Sequence, residues 1–224
     1  LYSAMTATLT ANAQTAFGGQ QIITTAANGA YSVYAADLDN DGDMDVLSAS
    51  WLDNKIAWYE NEGSGNFGVQ QIITTVADDA LSVYAADLDN DDDIDVLSSS
   101  SSDNKIAWYE NDGSGNFGGP QIITTDAYGA QSVYAADLDN DGDMDVLSAS
   151  AADWKIAWYK NDGSGNFGGQ QIITTAAINA SDVYATDLDN DGDMDVLSAS
   201  VADWKIAWYE NDGSGNFGVQ QIIT

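Results

Sequence analysis

The chain has 224 residues, of which 36 are acidic and only five basic, giving a formal charge of −31. Such an excess repels nucleic acid and anionic membrane, which need a basic footprint, and attracts cations. Cys and His are absent and all five basic residues are lysines, which excludes disulfides, thiolate metal sites, Ser-His-Asp catalysis and Arg clamping of phosphate.

An apolar fraction of 44% supplies a core and argues against reading the acidity as disorder. No stretch has the roughly 20 consecutive apolar residues of a bilayer-spanning helix, so no membrane insertion is expected. Residues 1–16 stand apart from the rest: uncharged to Thr15, rich in Ala and Thr, and carrying Ala11-Asn12-Ala13. They read as the tail of a signal peptide, with an irregular N-terminal arm as the bland alternative.

From Phe17 the sequence repeats with a period of 50 and no insertion. The block Val33 to Asp41 returns at Val83, Val133 and, with Thr186 as its one change, Val183; Lys55-Ile56-Ala57-Trp58-Tyr59 returns at Lys105, Lys155 and Lys205. The units are taken as 17–66, 67–116, 117–166 and 167–216, followed by an extra terminal strand at 217–224. Each unit predicts four strands, the first three at Ser32–Ala36, Asp45–Ser50 and Lys55–Glu60 and the fourth at Gln20–Thr25, with its copies at 70, 120, 170 and 220, divided by Asp-, Asn- and Gly-rich turns.

In these strands Ile56 and Trp58 oppose Ala57 and Tyr59, while Val33 and Ala35 oppose Tyr34 and Ala36. Both faces are apolar, so each small sheet must be covered on both sides. Radially stacked four-stranded blades meet that need, and the expected fold is all-β, a β-propeller, with an open solenoid of stacked sheets as runner-up. The first three strands occur four times but the Gln-Ile-Ile-Thr strand five times, counting the copy that ends the chain. The surplus copy is free to pair with another molecule by strand addition; the alternative, favoured here, is that the sequence belongs to a longer array.

Between the predicted strands at 32–36 and 45–50 lies Asp37-Leu38-Asp39-Asn40-Asp41-Gly42-Asp43-Met44-Asp45. Alternating carboxylates, a Gly for the sharp turn, a main-chain carbonyl at Asp43 and a closing carboxylate at Asp45 suit a hard cation that takes six to eight oxygens. Carboxylates about 5 Å apart repel by roughly 3 kcal/mol per pair at an effective dielectric near 20, and a divalent ion reverses the sign. The same set recurs at Asp87, Asp89, Asp91, Asp93 and Asp95, at Asp137, Asp139, Asp141, Asp143 and Asp145, and at Asp187, Asp189, Asp191, Asp193 and Asp195. One Ca2+ per repeat is expected, four in all. Asp92 replaces the loop Gly in the second copy and makes that site the one expected to be least regular.

The loop, the Trp-Tyr strand after it and the following Asn-Asp-Gly-Ser-Gly-Asn-Phe-Gly together resemble FG-GAP/VCBS repeats over residues 17–224. Those repeats build the calcium-bearing propellers of integrin α-subunits and of many secreted bacterial proteins. The resemblance implies calcium ligation by Asp37, Asp39, Asp41, Asp43 through its carbonyl, and Asp45, and by their counterparts. Propellers of the family usually have about seven blades, whereas four units are present here, so the ring is expected to be open or part of a larger one.

Trp58, Trp108, Trp158 and Trp208 hold one strand position and read as core. Trp51, Trp154 and Trp204 fall in loops where other copies have different residues, and a loop Trp can stack on a sugar ring. The sequence therefore points to a secreted, extracellular protein and not an enzyme. Its expected role is structural or adhesive, with copies of itself, an extracellular protein or a glycan as partner and no nucleic acid. The alternative is a lectin-like carbohydrate-binding propeller.

Overall fold

The computed structural model describes residues 19–223, so the suggested signal-peptide tail at 1–16 lies outside the described residues. Among the described residues sixteen strands fall into four sheets. Sheet I holds β1 (Ala30–Ala36), β2 (Asp45–Ser50), β3 (Lys55–Tyr59) and β4 (Gln71–Thr74). Sheet II holds β5 (Ala80–Ala86), β6 (Asp95–Ser100), β7 (Lys105–Tyr109) and β8 (Gln121–Thr124). Sheet III holds β9 (Ala130–Ala136), β10 (Asp145–Ser150), β11 (Lys155–Tyr159) and β12 (Gln171–Thr174). Sheet IV holds β13 (Ala180–Thr186), β14 (Asp195–Ser200), β15 (Lys205–Tyr209) and β16 (Gln221–Ile222).

Every sheet is an antiparallel meander in chain order. In sheet I the register pairs Tyr34 with Leu47 and Leu47 with Trp58, which puts these large side chains on one face. A sheet takes its fourth strand from the stretch after its own Asn-Gly-rich turn, so the folded units run 30–74, 80–124, 130–174 and 180–222. The first Gln-Ile-Ile-Thr copy, at 21–24, joins no strand, and Ile22 and Ile23 are exposed there. The surplus strand is thus the N-terminal one.

The sheets stack face to face in order. Leu47, Ala49, Ile56 and Trp58 of sheet I pack against Val83, Ala85, Val96 and Tyr109 of sheet II in one buried cluster. The same positions, 50 and 100 residues on, form the next two interfaces, with a buried Ser99 standing where the other sheets have alanine. Each large apolar side chain so buried contributes about 1.5–3 kcal/mol. Tyr34, Tyr84, Tyr134 and Tyr184 make a ladder through the stack, with ring centroids 4.6, 4.6 and 4.7 Å apart. Sheets I and IV do not close on each other, so the four units form an open stack rather than a completed ring.

Trp58, Trp108 and Trp158 are buried, as expected of core residues, each with its ring edge on a Phe from the next unit, at 6.4 Å for Trp58 and Phe117. The next unit also brings a glycine against each indole. A Cβ on Gly115 would lie 2.4 Å from Trp58 Cζ2, and its φ is +71°. Gly65 has the same left-handed conformation, φ +75°, but a Cβ there meets nothing within 4 Å. Gly65→Ala is therefore expected to cost about 1 kcal/mol, the left-handed penalty alone. Gly115→Ala should cost a further 1–3 kcal/mol or so from overpacking. Urea unfolding of the two variants checks this, and equal losses would mean that the indole gives way freely.

Candidate metal centre

Each candidate site is the turn between the first two strands of a sheet. The first loop residue, Asp37, follows β1 directly, and the last, Asp45, opens β2. Leu38 is buried in the core between sheets I and II and anchors the turn from below. Asn40 takes φ 59° and Gly42 φ 93°, the left-handed pair that curls the backbone around the carboxylates.

Internal hydrogen bonds fix the loop. Asp37 accepts from the amides of Asp41 at 3.1 Å and Gly42 at 2.9 Å, and Asp41 accepts from Asp43 at 2.8 Å. Asp45 is fully buried and uses both oxygens: Leu38 N donates to one at 2.9 Å and Asn61 N to the other at 2.8 Å. It staples the loop to the strand pair and to the turn after β3. Asp95, Asp145 and Asp195 repeat the staple.

Carboxylate oxygens come together, within 4.8 Å of one another, in four triads: Asp37, Asp39 and Asp41; Asp87, Asp89 and Asp95; Asp137, Asp139 and Asp145; Asp187, Asp189 and Asp195. One oxygen each of Asp39, Asp89 and Asp139 is buried with no hydrogen-bond partner among the described residues. An unpartnered buried carboxylate oxygen is costly unless a cation meets it. The residues present therefore fit a hard, oxygen-ligated divalent ion.

Burial pushes the Asp95 and Asp145 carboxyls up to about 7, and proximity to other loop carboxylates adds to it, against the pull of their backbone donors. Burial also raises Asp39, Asp89 and Asp189, reinforced in each by the neighbouring Asp at the fifth loop position. Without a cation these loops resist full ionisation.

The seventh-position aspartates lie outside the triads. Asp93 instead accepts from Asn40 Nδ2 of the preceding loop at 2.7 Å, and Asp143 and Asp193 do the same with Asn90 and Asn140. Their carboxylates tie one site to the next, which the sequence reading, assigning Asp43 and its counterparts only a carbonyl role, did not anticipate. Asp92 does not make the second loop the irregular one. It adopts φ 71° and donates its amide to Asp87 at 3.1 Å, as Gly142 does to Asp137. In its hydrogen bonds it is the fourth loop that departs, with Asp187 accepting from Asn190 and Asp191 donating to Asp189, and in its triad the first, which gathers Asp41 where the others gather the ninth-position aspartate.

A residue that sequence reading missed sits at the third site. Where the other units have Glu60, Glu110 and Glu210, the third has Lys160. Its ammonium pairs with Asp139 and with Asp141 at 2.9 Å. These two hydrogen bonds hold the lysine pKa up, and the bond to Lys160 holds Asp141 down. In the first unit Glu60 is close enough to Asp39 for their repulsion, after burial, to raise its carboxyl. The signal was present as one sign reversal at a repeat position, visible once the four units are aligned.

The family model described as FG-GAP-like repeat matches the chain five times, at residues 5–48, 45–98, 87–148, 137–198 and 187–224. The chain belongs to this family. Among solved structures it is similar to a lectin of Agrocybe aegerita described as recognising non-reducing terminal N-acetylglucosamine, at 21% identity and a TM-score of 0.61, over 84% of this chain and 50% of that one. It is also similar to the V. cholerae biofilm matrix protein Bap1, at 24% identity and a TM-score of 0.52, over 82% of this chain and 27% of that one. An exo-β-1,3-galactanase from Phanerochaete chrysosporium shares 14% identity at a TM-score of 0.54, over 88% of this chain and 50% of that one. The chain thus spans half or less of each of these proteins, and the likeness is one of fold. No curated protein matches it in sequence.

Proposed function

We propose that the chain is a secreted, calcium-binding repeat protein with a structural or adhesive role, in which calcium in the Asp loops stiffens the stack of sheets. The observation that carries this reading is the buried, unpartnered carboxylate oxygen at the third position of three loops, each inside a triad of aspartates. Oxygen-only donors, with no His or Cys in the chain, select calcium over transition metals. Millimolar extracellular calcium suits weak sites of this kind. Among the described residues no helix is long and apolar enough to cross a membrane. The partner is a second copy, an extracellular protein or a glycan, and we assign the chain no catalytic step.

The test is calcium binding by the metal-stripped chain, read by isothermal titration calorimetry with magnesium as control. Saturable uptake of calcium in preference to magnesium supports the reading. No uptake at millimolar calcium overturns it.

Trp154 and Trp204 favour a second reading, a carbohydrate-binding surface. Both take left-handed backbone, φ 61° and 57°, where the first two units have Asn54 and Asn104. Asn54 Oδ1 accepts from Asp79 N at 3.1 Å and Asn104 Oδ1 from Gly129 N at 2.9 Å; an indole can accept neither. Trp204 is nonetheless 91% exposed and Trp154 49%. A large exposed aromatic kept in a strained conformation is the pattern of a binding residue. Trp154→Asn is expected to raise stability by about 1–2 kcal/mol in thermal unfolding and to remove any glycan-array signal. A variant that is no more stable would show that the indole is held by packing instead.

A further inference from the structure

Among the described residues the stack ends in two uncovered faces, and they are unlike. The outer side of sheet IV presents Leu197, Ala199, Ile206 and Trp208, the residues that sheets I and III, and sheet II with Ser99 for the alanine, use at the same register positions to cover the next sheet. Ile206 is 50% exposed, while Ile56, Ile106 and Ile156 are fully buried. The outer side of sheet I presents Val33, 69% exposed, while Val83, Val133 and Val183 are 4% exposed. One end is therefore the upper half, and the other the lower half, of an interface that the molecule builds three times internally.

The rims match as well. At each internal interface an Asn of the lower loop donates to an Asp of the next, as Asn40 does to Asp93. An Asn after the third strand of the upper sheet donates to a leucine carbonyl below, as Asn111 does to Leu38 O at 2.8 Å. At the ends these pairs are split. Asn190 and Leu188 O on sheet IV, like Asp43 on sheet I, make no such link among the described residues, and Asn61 Nδ2 bonds Met44 O alone, at 3.1 Å. Gly65, the counterpart of the glycine on each internal Trp, faces open space.

We propose that the outer face of sheet IV docks on the outer face of sheet I of a second copy of this chain, head to tail. The contact joins two different surfaces, so copies either close a ring or continue as a filament. A two-fold pairing of sheet IV with itself would set Trp208 against Trp208 and give Asn190 no carboxylate, so the split links favour the head-to-tail mode. The surfaces are faces, not strand edges, and the inference does not depend on metal in the loops.

The test is the mass of the chain in sedimentation equilibrium from micromolar to millimolar concentration, at about 0.15 M salt so that repulsion between acidic copies is screened to roughly 8 Å. Mass should rise with concentration to a dimer or beyond. Val33→Glu and Ile206→Glu each spoil one face at an exposed side chain, and far-UV circular dichroism confirms folding. Each variant alone should remain a monomer at least tenfold above the concentration at which the native chain associates. An equimolar mixture keeps one good face of each kind and should form dimers and nothing larger. A native chain that stays monomeric throughout, variants that associate like it, or a mixture that never exceeds monomer mass would each overturn the proposal.

Discussion

A calcium titration of the metal-stripped chain is expected to show three sites of similar affinity and a fourth that is weaker by about tenfold to a hundredfold, the third in sequence. Lys160 is the reason. Its ammonium already neutralises Asp139 and Asp141, and a divalent ion must displace it and then tolerate a cation nearby. A unit charge about 5 Å away is worth roughly 3 kcal/mol at an effective dielectric near 20, and the half-exposed lysine reduces that to about 1–3 kcal/mol. Lys160→Glu restores the residue of the other three units and should bring this third site level with them. Four equal sites in the native chain would mean that the lysine swings aside at no cost.

The metal-stripped protein is expected to be more stable at pH 5 than at pH 8, and calcium is expected to reverse that order. Asp95 and Asp145 are raised to about 7 from the usual 3.8, chiefly by burial. In the folded chain these carboxyls keep protons that the unfolded chain has released. Their contribution is full below 3.8 and is lost as pH rises through about 7. Asp39, Asp45, Asp89 and Asp189 are raised also, and mutual repulsion in a chain of charge −31 acts in the same direction. The expected loss between pH 5 and 8 is at least about 2 kcal/mol.

Calcium binds the ionised loops. At a hundred times its Kd, each site adds about 2.7 kcal/mol, a gain that protons oppose as pH falls. Thermal unfolding of resin-stripped protein at the two pH values, with and without millimolar calcium, reads both effects. A stripped protein equally stable at pH 5 and pH 8 would remove the argument that the loops are held apart by their own charge.

Much of this was legible in the sequence because the repeat is so regular. The first three strands of each unit are those the alternation predicts, to within two residues at an end, since Val33, Ile56 and Trp58 fix which face is which. The demand for cover on both faces led to stacked sheets. The phase of the fourth strand was not legible, because a period of 50 looks the same from any starting point. Only the pairing of Ile56 with Thr74 and of Ala57 with Ile72 shows that a sheet reaches past the Asn-Gly-rich turn.

The Asp loops were placed correctly as acidic turns after the first strand, but spacing alone could not divide the labour within them. Asp45 and its counterparts spend both oxygens on backbone amides, and Asp93 reaches to another loop, because strand twist and sheet stacking decide where each carboxylate points. Lys160 escaped because it belongs to a different turn. Its proximity to Asp139 exists only once β11 lies beside β10.

The constancy of the period has a consequence for how such an array changes over generations. Removing residues 67–116 would join Asn66 to Phe117, recreating the Asn-Phe junction that stands at 66–67 and 116–117. The new interface would set Leu47, Ile56 and Trp58 against Val133, Ala135 and Tyr159, the identical partners one unit on. Gain or loss of a 150-nucleotide unit by unequal recombination therefore keeps the sheet-to-sheet packing in register, although Pro120 would then stand in the place of Gln70, which donates to Tyr59. The number of sheets behaves as a copy number, free to drift or be selected as a length without any compensating substitution.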